Sequence, residues 1–312
     1  MTPRHVLVCF DYEGRWGMPF AAPYDLTAAT ERILETLAAH RARAIFFVVG
    51  ALAAERPDLI QAIANEGHEV ACHGWQHESL GNGSDTRLAD GLERATSVIE
   101  SITGRRPVGF RAPYLLAPAF FDDRIYELLR DLGYRWTTNL EIRHVVELLR
   151  PDLIMCNAWR LADRRPGMLH GRVARALDVT LNPKIVLGRN LRPHVGSTIR
   201  WLLSGAAPIH RGELFEIPLY SPMDCDVIGI PDPTSPTPER QLRYAKFALT
   251  LSLSSSRSLA MVTFHDWIIA TNNRLQLLDA VLSSIEERDL HTTTVSDVWS
   301  ELLALAPAPV RQ

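Results

Sequence analysis

The 312-residue sequence has four cysteines, Cys9, Cys72, Cys156 and Cys225, and no two of them form a CxxC pair. That spacing excludes a zinc ribbon or a redox motif. Three of the four sit in or beside apolar runs, so they are read as reduced core thiols with no disulfide or metal role. No run approaches the roughly 18 apolar residues of a membrane-spanning helix. With a net charge of only −3 there is no general excess of positive charge, which argues against nucleic acid as a partner. Internal repeats are absent, and the only low-complexity stretches are the loop "PDPTSPTPE" at 231–239 and a tail from Ala306. A leader is not expected either. The chain opens "MTPRH" and enters an apolar strand at once, so the expected location is the cytoplasm.

Present instead are short apolar strands alternating with amphipathic helices, the pattern of β/α units around a parallel sheet or barrel. Strands are expected at 5–10, 44–50, 68–72, 108–110, 134–138, 214–219, 259–264 and 292–295. Helices are expected at about 26–41, from Pro57 to a stop before Gly67, from Asp85 to Gly104, and at about 119–132, 239–256, 272–288 and 296–304. Residues 141–212 break the rhythm and read as a helical insertion in a single domain spanning 1–305, with 306–312 as a flexible tail.

Four strands end in reactive side chains. "VLVCF" runs into Asp11-Tyr12-Glu13, "EVAC" into His73-Gly74-Trp75-Gln76-His77, "VGF" into Arg111-Ala112-Pro113-Tyr114, and "LAMVTF" into His265-Asp266-Trp267. In barrels and open α/β sheets the carboxyl ends of the strands build the active site, so the four clusters should converge on one mouth. If the first strand continues, Asp11 and Glu13 point the same way. Two like charges side by side at the end of a core strand call for a cation. His73 and His77, spaced i, i+4, would share a face of a helical turn and grip one metal. With Glu13 they make two histidines and a carboxylate, a catalytic zinc set with an open position. Asp11 is left over, placed to take a proton from a metal-activated water, with Arg111 as its partner. His265 is the candidate general acid. The metal and a backbone N–H, that of Tyr114, would hold an oxyanion. The chemistry assembled is metal-assisted hydrolysis of an amide or ester.

These residues resemble the carbohydrate esterases known as polysaccharide deacetylases, or the NodB-homology domain, most strongly over 5–138. "FDYE" is similar to the family's first motif, "HGWQH" to its second, "RAPY" to its third and "VTFHDW" to its late motif. The stretch "AIFFVVG…ERPDLIQAIANEGHEVACH" is similar almost throughout. The resemblance implies a distorted (β/α) barrel of about seven parallel strands that removes N-acetyl, or sometimes O-acetyl, groups from sugars. The implied cofactor is a divalent metal, Zn2+ first, with Co2+, Fe2+, Mn2+ or Ni2+ as alternatives. Carried over by residue, Asp11 is the base, Glu13, His73 and His77 the ligands, Arg111 the partner of the base and His265 the acid. The pattern departs from the family in two places. Tyr12 stands where the second of two adjacent aspartates is usual, and the aspartate that tunes the acid histidine is open between Asp224 and Asp266.

Trp16, Trp75, Trp267 and Tyr114 are candidate aromatic faces for a sugar ring, against the alternative that two or three are core. Residues 179–212 carry Lys184, Arg189, Arg192, Arg200 and Arg211 with no acid. Such a segment either is a solvated face or recognises phosphate on a nucleotide- or lipid-linked amino sugar, and a lipid-linked substrate would bring the protein to the inner membrane face. Two other readings stand beside a de-N-acetylase of an amino sugar or glycoconjugate: an amidase or cyclic-imide (allantoinase-like) hydrolase on the same scaffold, and a non-catalytic carbohydrate-binding protein.

Overall fold

A computed structural model of the chain describes residues 5–18, 24–78, 85–114, 123–143, 208–211, 213–229, 235–254 and 259–305. In chain order its strands are β1 (His5–Tyr12), β2 (Ile45–Val48), β3 (Glu69–Cys72), β4 (Gly109–Phe110), β5 (Trp136–Thr137), β6 (Glu141–Arg143), β7 (Ile209–Arg211), β8 (Leu214–Glu216), β9 (Leu219–Ser221), β10 (Leu259–His265) and β11 (His291–Thr293). The helices are α1 (Leu26–Ala39), α2 (Gly50–Glu55), α3 (Pro57–Asn65), α4 (Asp85–Thr103), α5 (Asp123–Asp131), α6 (Asp224–Ile228), α7 (Glu239–Thr250), α8 (Asp266–Ile269), α9 (Leu275–Glu286) and α10 (Trp299–Leu305). The expected insertion at 141–212 lies outside the described residues except for β6 and β7. Arg189, Arg192, Cys156 and the tail at 306–312 lie outside them too.

Val6 to Phe10 are all fully buried, as expected for a strand covered on both faces. β1 pairs in parallel with β10 from His5 to Asp11, with β2 from Cys9 to Tyr12, and with β11 over His5–Leu7. The nine-stranded sheet runs β10-β1-β2-β3-β4-β5-β8-β7, with β11 attached to β1. Only β7 is antiparallel, against β8. The parallel strands curl into a distorted, open (β/α) barrel, the architecture expected from the sequence.

Alternation along β1 separates two kinds of core. Phe10 stacks on Phe46 at 4.8 Å between ring centroids, and the Tyr12 hydroxyl bonds Thr30 of α1 at 2.6 Å, so this face meets the helices. Tyr12 therefore points away from the barrel mouth and leaves Asp11 facing it. Inside, Phe47 meets Trp136 edge-on at 5.7 Å and supports the Arg111 guanidinium at 4.0 Å.

Local signals set most helix starts. Asp25 caps α1 by accepting from Ala28 N at 3.0 Å, and Pro57 opens α3 at a position where its missing N–H costs nothing. Among the described residues the elements differ from expectation in three places. The two described ends of the stretch read as a helical insertion are the strands β6 and β7. The strand read at 214–219 is two strands, because Pro218 has no N–H for the ladder and β9 leaves for a second sheet with β6. The short helix α2 precedes Pro57 and was not expected.

Register gathers the site. Tyr12 pairs with Val48, Val48 with Cys72, Cys72 with Phe110, Phe110 with Thr137 and Thr137 with Glu216. One row thus crosses the sheet at the carboxyl ends of its strands, and the reactive clusters sit on or just beyond it. On the other side of β1, Asp11 is the register partner of His265.

Candidate active site

The chain leaves β1 at Tyr12, one residue before the i, i+2 argument needs it to continue. Glu13 has helical dihedrals (φ −113°, ψ −26°) and starts a 3-10 turn through Trp16, with Gly14 at φ +53°. A turn, not strand alternation, brings Glu13 back beside Asp11. Asp266 holds that turn. Its Oδ1 accepts from Glu13 N at 2.7 Å, and both its oxygens accept from Gly14 N at 3.2 Å. The Tyr24 hydroxyl donates to Asp266 Oδ2 at 2.7 Å. Burial pushes the Asp266 carboxyl up to about 6, against those hydrogen bonds. Asp266 is therefore not the carboxylate on the His265 ring.

His73 and His77 do not lie on a helical turn. The segment is an irregular loop with Gly74 at φ +78° and His77 at φ +56°. A left-handed non-glycine residue is uncommon, and such strain concentrates at functional sites. The first amides of α2 pin the loop: Gly50 N donates to the Gly74 carbonyl at 2.9 Å and Ala51 N to the Trp75 carbonyl at 2.8 Å. Trp75 packs tightly over Gly50, where an added Cβ would lie 2.8 Å from the indole, and Arg94 sits over its ring at 4.0 Å. Trp75 thus fastens the loop to α2 and α4. This packing accords with the core alternative for two or three of the four aromatic residues.

His73 Nδ1 donates to the Arg111 carbonyl at 2.8 Å. A carbonyl only accepts, so this bond sets the tautomer and leaves a lone pair on His73 Nε2. Glu13 Oε1 lies 3.3 Å from His73 Nε2 and 2.9 Å from His77 Nε2. The His77 contact lacks hydrogen-bond alignment, and His77 Nδ1 is buried without a partner among the described residues. All three side chains are buried, with donor atoms within 4.8 Å of one another. Three electron-pair donors facing one point repel unless a cation lies between them. Two imidazoles and a carboxylate are a set that holds a divalent ion. Burial opposes the charge on Glu13; with no ion between them, His77 and His73 rings that carry a proton take the ion's place and hold its carboxyl well below the usual carboxylate range.

Arg111 is fully buried over Phe47, and its Nη1 donates to Asp11 Oδ1 at 2.5 Å. The peptide after it is clamped from the far side, where Asn139 Oδ1 accepts from Ala112 N at 2.7 Å. Asn139 N and Leu140 N in turn donate to Glu216 Oε1 at 2.5 and 2.7 Å, and Thr137 Oγ1 donates to Glu216 Oε2 at 2.6 Å. Tyr114 follows at φ +67°, is 45% exposed, and lies edge-on to the His77 ring at 4.4 Å.

On the remaining side His265 Nε2 lies 3.8 Å from Asp11 Oδ2. His265 Nδ1 meets Asp224 Oδ1 at 2.7 Å, and His265 N donates to Asp224 Oδ2 at 2.7 Å. Asp224, the first residue of α6, is thus the aspartate that holds His265. Cys225 N also donates to Asp224 Oδ1 at 2.6 Å, so both oxygens accept from backbone N–H groups, while burial still raises the Asp224 carboxyl against these bonds and the His265 ring. Burial disfavours a charged His265 ring, but Asp224, helped by Glu13 and Asp11, lifts it to about 10. Below that value the ring keeps the proton that a general acid must give. As pH rises through it, the acid is lost. Asp224→Asn should therefore move the alkaline limb of kcat against pH downward by on the order of one unit or more, with a smaller effect on the acid limb. A pH profile of the variant that overlays the wild type would remove Asp224 from this role.

Trp267 likewise accords with the core alternative. It is only 6% exposed, and its Nε1 donates to Glu13 Oε2 at 2.8 Å. Trp16 is half-buried against the core, with its Nε1 buried and Arg15 over its ring at 5.4 Å. Sequence reasoning missed the clamp formed by Asn139 and Glu216. Its one visible signal was a glutamate inside the apolar run "LFEIPL".

Residues 1–137 match the sequence profile of the polysaccharide deacetylases. The chain is 31% identical over 88 residues to the peptidoglycan-N-acetylglucosamine deacetylase PgdA of Listeria monocytogenes, a stretch covering 28% of this chain and 19% of that protein. It is 37% identical over 86 residues to a chitooligosaccharide deacetylase of Bradyrhizobium, covering 27% and 39% respectively. It is 26% identical over 174 residues to chitin deacetylase 1 of Saccharomyces cerevisiae, covering 51% and 54%. The chain thus spans from about a fifth to about half the length of these relatives. In fold it is similar to a Mycobacterium smegmatis structure provisionally assigned as a polysaccharide deacetylase, with TM-score 0.65, 17% identity and coverage of 100% and 94%. It is also similar to the family 4 carbohydrate esterase of Streptomyces lividans, with TM-score 0.50, 13% identity and coverage of 95% and 94%. The first 137 residues, which match the polysaccharide deacetylase profile, also supply Asp11, Glu13, His73, His77, Arg111 and Tyr114.

Proposed function

We propose that this protein is a divalent-metal-dependent hydrolase, with Zn2+ as its ion, that removes an N-acetyl group from an amino sugar in a glycoconjugate. One observation carries the reading. Three ligand side chains, a carboxylate held by a buried arginine, and a histidine held by a buried aspartate all meet at the end of β1. When bound, the ion supplies a Lewis acid that polarises the acetyl carbonyl and acidifies a water.

The chain's own groups do the rest. Arg111 fixes Asp11 through Oδ1, and Asp11 Oδ2 faces the site as the proton acceptor. Asp224 fixes His265 through Nδ1 and directs Nε2 toward the leaving amine as the proton donor. The Tyr114 N–H is the assigned oxyanion donor, on a turn clamped by His73 and Asn139. After turnover Asp11 carries the extra proton and His265 lacks one. The 3.8 Å between them is a short return path.

The named activities of the relatives support an N-acetylated sugar. The metal could be Co2+, Fe2+, Mn2+ or Ni2+ on the same donor set. The proposed compartment is the cytoplasm, supported by three buried free cysteines, Cys9, Cys72 and Cys225. There the substrate would be nucleotide- or lipid-linked, its phosphate met by Arg189 and Arg192, and a lipid-linked form would draw the protein to the inner membrane face.

The test is acetate release by the metal-loaded protein from free, nucleotide-linked and lipid-linked N-acetylated amino sugars. Release from at least one class is expected, with the lowest KM for a phosphorylated one. Ring opening of cyclic imides without acetate would replace the proposal with the imide-hydrolase reading, to which the Glu13 variant of the first motif also lends itself. Glycan binding with no hydrolysis would reduce the protein to a carbohydrate-binding one.

A further inference from the structure

Glu13 is one methylene longer than an aspartate, and its surroundings accommodate that length. We propose that Gly17, Asp266 and Trp267 form a cradle that limits Glu13 to ligation through one oxygen and makes glutamate, not aspartate, the residue that completes the metal set. The inference rests on the metal-binding reading of Glu13, His73 and His77.

Three observations define the cradle. First, Glu13 Oε2 is occupied by the Trp267 indole N–H at 2.8 Å, and Glu13 Oε1 alone faces the two imidazoles, at 3.3 and 2.9 Å. Two-oxygen ligation would need Oε2 to turn toward the ion while the indole N–H holds it on the other side, inside a site where Glu13 is 3% exposed. Second, Gly17 leaves the room that Oε2 fills. A Cβ on Gly17 would lie 1.6 Å from Glu13 Oε2 and 2.6 Å from its carboxyl carbon. Gly17 has φ −87°, which any residue adopts, so space and not backbone conformation calls for glycine here. Third, Asp266 fixes the root of the side chain by accepting from Glu13 N and Gly14 N, and Tyr24 steadies Asp266 from behind. Asp266 and Trp267 are consecutive, so one turn at the end of β10 grips Glu13 at both its backbone and its outer oxygen.

Trp267 and Gly17 are thus positioning residues, acting on the ion only through Glu13. An aspartate at position 13 would not span from the indole to the imidazoles and would give up one contact or the other. The general expectation for partners that orient a ligand is a loss of about 10–100-fold in metal affinity.

The experiment titrates metal-stripped protein with Co2+, reading affinity by competition with a chelator and coordination by the visible absorption of the bound ion. Wild type, His77→Ala, Trp267→Phe, Gly17→Ala and Glu13→Asp are compared, with near-ultraviolet circular dichroism to verify packing. Wild type is expected to bind one Co2+ and His77→Ala to lose it. Trp267→Phe, Gly17→Ala and Glu13→Asp should each bind about 10–100-fold more weakly. Trp267→Phe should in addition absorb less, as Glu13 becomes free to offer both oxygens and coordination number rises. If His77→Ala loses the ion while the folded cradle variants keep wild-type affinity and spectrum, the cradle is refuted and the ligand set stands. A wild type that binds no Co2+ refutes both. Should Trp267→Phe fail to fold, Gly17→Ala and Glu13→Asp decide the question.

Discussion

Asp11→Asn is expected to lower kcat by about 10²–10⁴-fold, the usual contribution of a general base, while the protein still takes up its metal. Asn keeps an oxygen for Arg111 but cannot accept the proton from water. Metal content should persist because Glu13, His73 and His77 are separate from the Asp11–Arg111 pair. The variant should also be less stable. Arg111 is fully buried, and its Nη1 is neutralised by Asp11 at 2.5 Å. Leaving a buried charge without its counter-ion costs about 3–5 kcal/mol when the partner is truncated, and an amide that retains one hydrogen bond should cost less. The measurements are single-turnover acetate release, metal stoichiometry and thermal melting on one preparation. Turnover within tenfold of wild type would take the base role from Asp11. A variant that turns over slowly because it has lost its metal would show instead that Asp11 supports the ligand set.

Removal of the metal is expected to be the more complete lesion. Chelation followed by gel filtration should bring acetate release to background, and added Zn2+ should restore it. The apo protein should remain folded, because the core around β1 does not depend on the site. Val6 to Phe10 are fully buried, Arg111 is paired with Asp11, and Asp224 and Glu216 are hydrogen-bonded by protein groups alone. It should nevertheless melt earlier. A ligand present at ~1,000 times its Kd adds about 4 kcal/mol to the native state, and the three facing donors lose their common partner when it leaves. Calorimetry with and without the ion reads the shift, and inductively coupled plasma analysis identifies the metal carried from expression. Undiminished hydrolysis after complete stripping would overturn the metal-dependent reading. It would leave Asp11 and His265 to be explained without it.

Much of this site is legible in the sequence for a local reason. A buried parallel strand is a short apolar run, so the first polar residues after it mark its carboxyl end. That rule alone locates Asp11, His73, Arg111 and His265. It fails where the backbone leaves regular geometry. Glu13 belongs to a turn that opens at Gly14, φ +53°, and His77 reaches its partner through left-handed dihedrals in a loop. Neither the strand period nor the helix period describes them, although both end with their donor atoms together. Aromatic residues mislead for a related reason. Trp75 and Trp267 flank the site in sequence and look like sugar platforms, yet one packs on Gly50 and the other donates to Glu13.

The choice between Asp224 and Asp266 shows the other limit. Asp266 is the neighbour of His265 in sequence, but the chain turns into α8 there and sends its carboxylate to the amides of Glu13 and Gly14. The carboxylate on the imidazole comes from 41 residues away. Sequence alone thus determined the central parallel strands, the polar residues that end them and the residue types able to hold an ion and move protons, because these depend on local burial and local chemistry. Only tertiary structure decided which of those groups face one another. That depends on the register of parallel strands from distant parts of the chain, where Asp11 meets His265 and Thr137 meets Glu216.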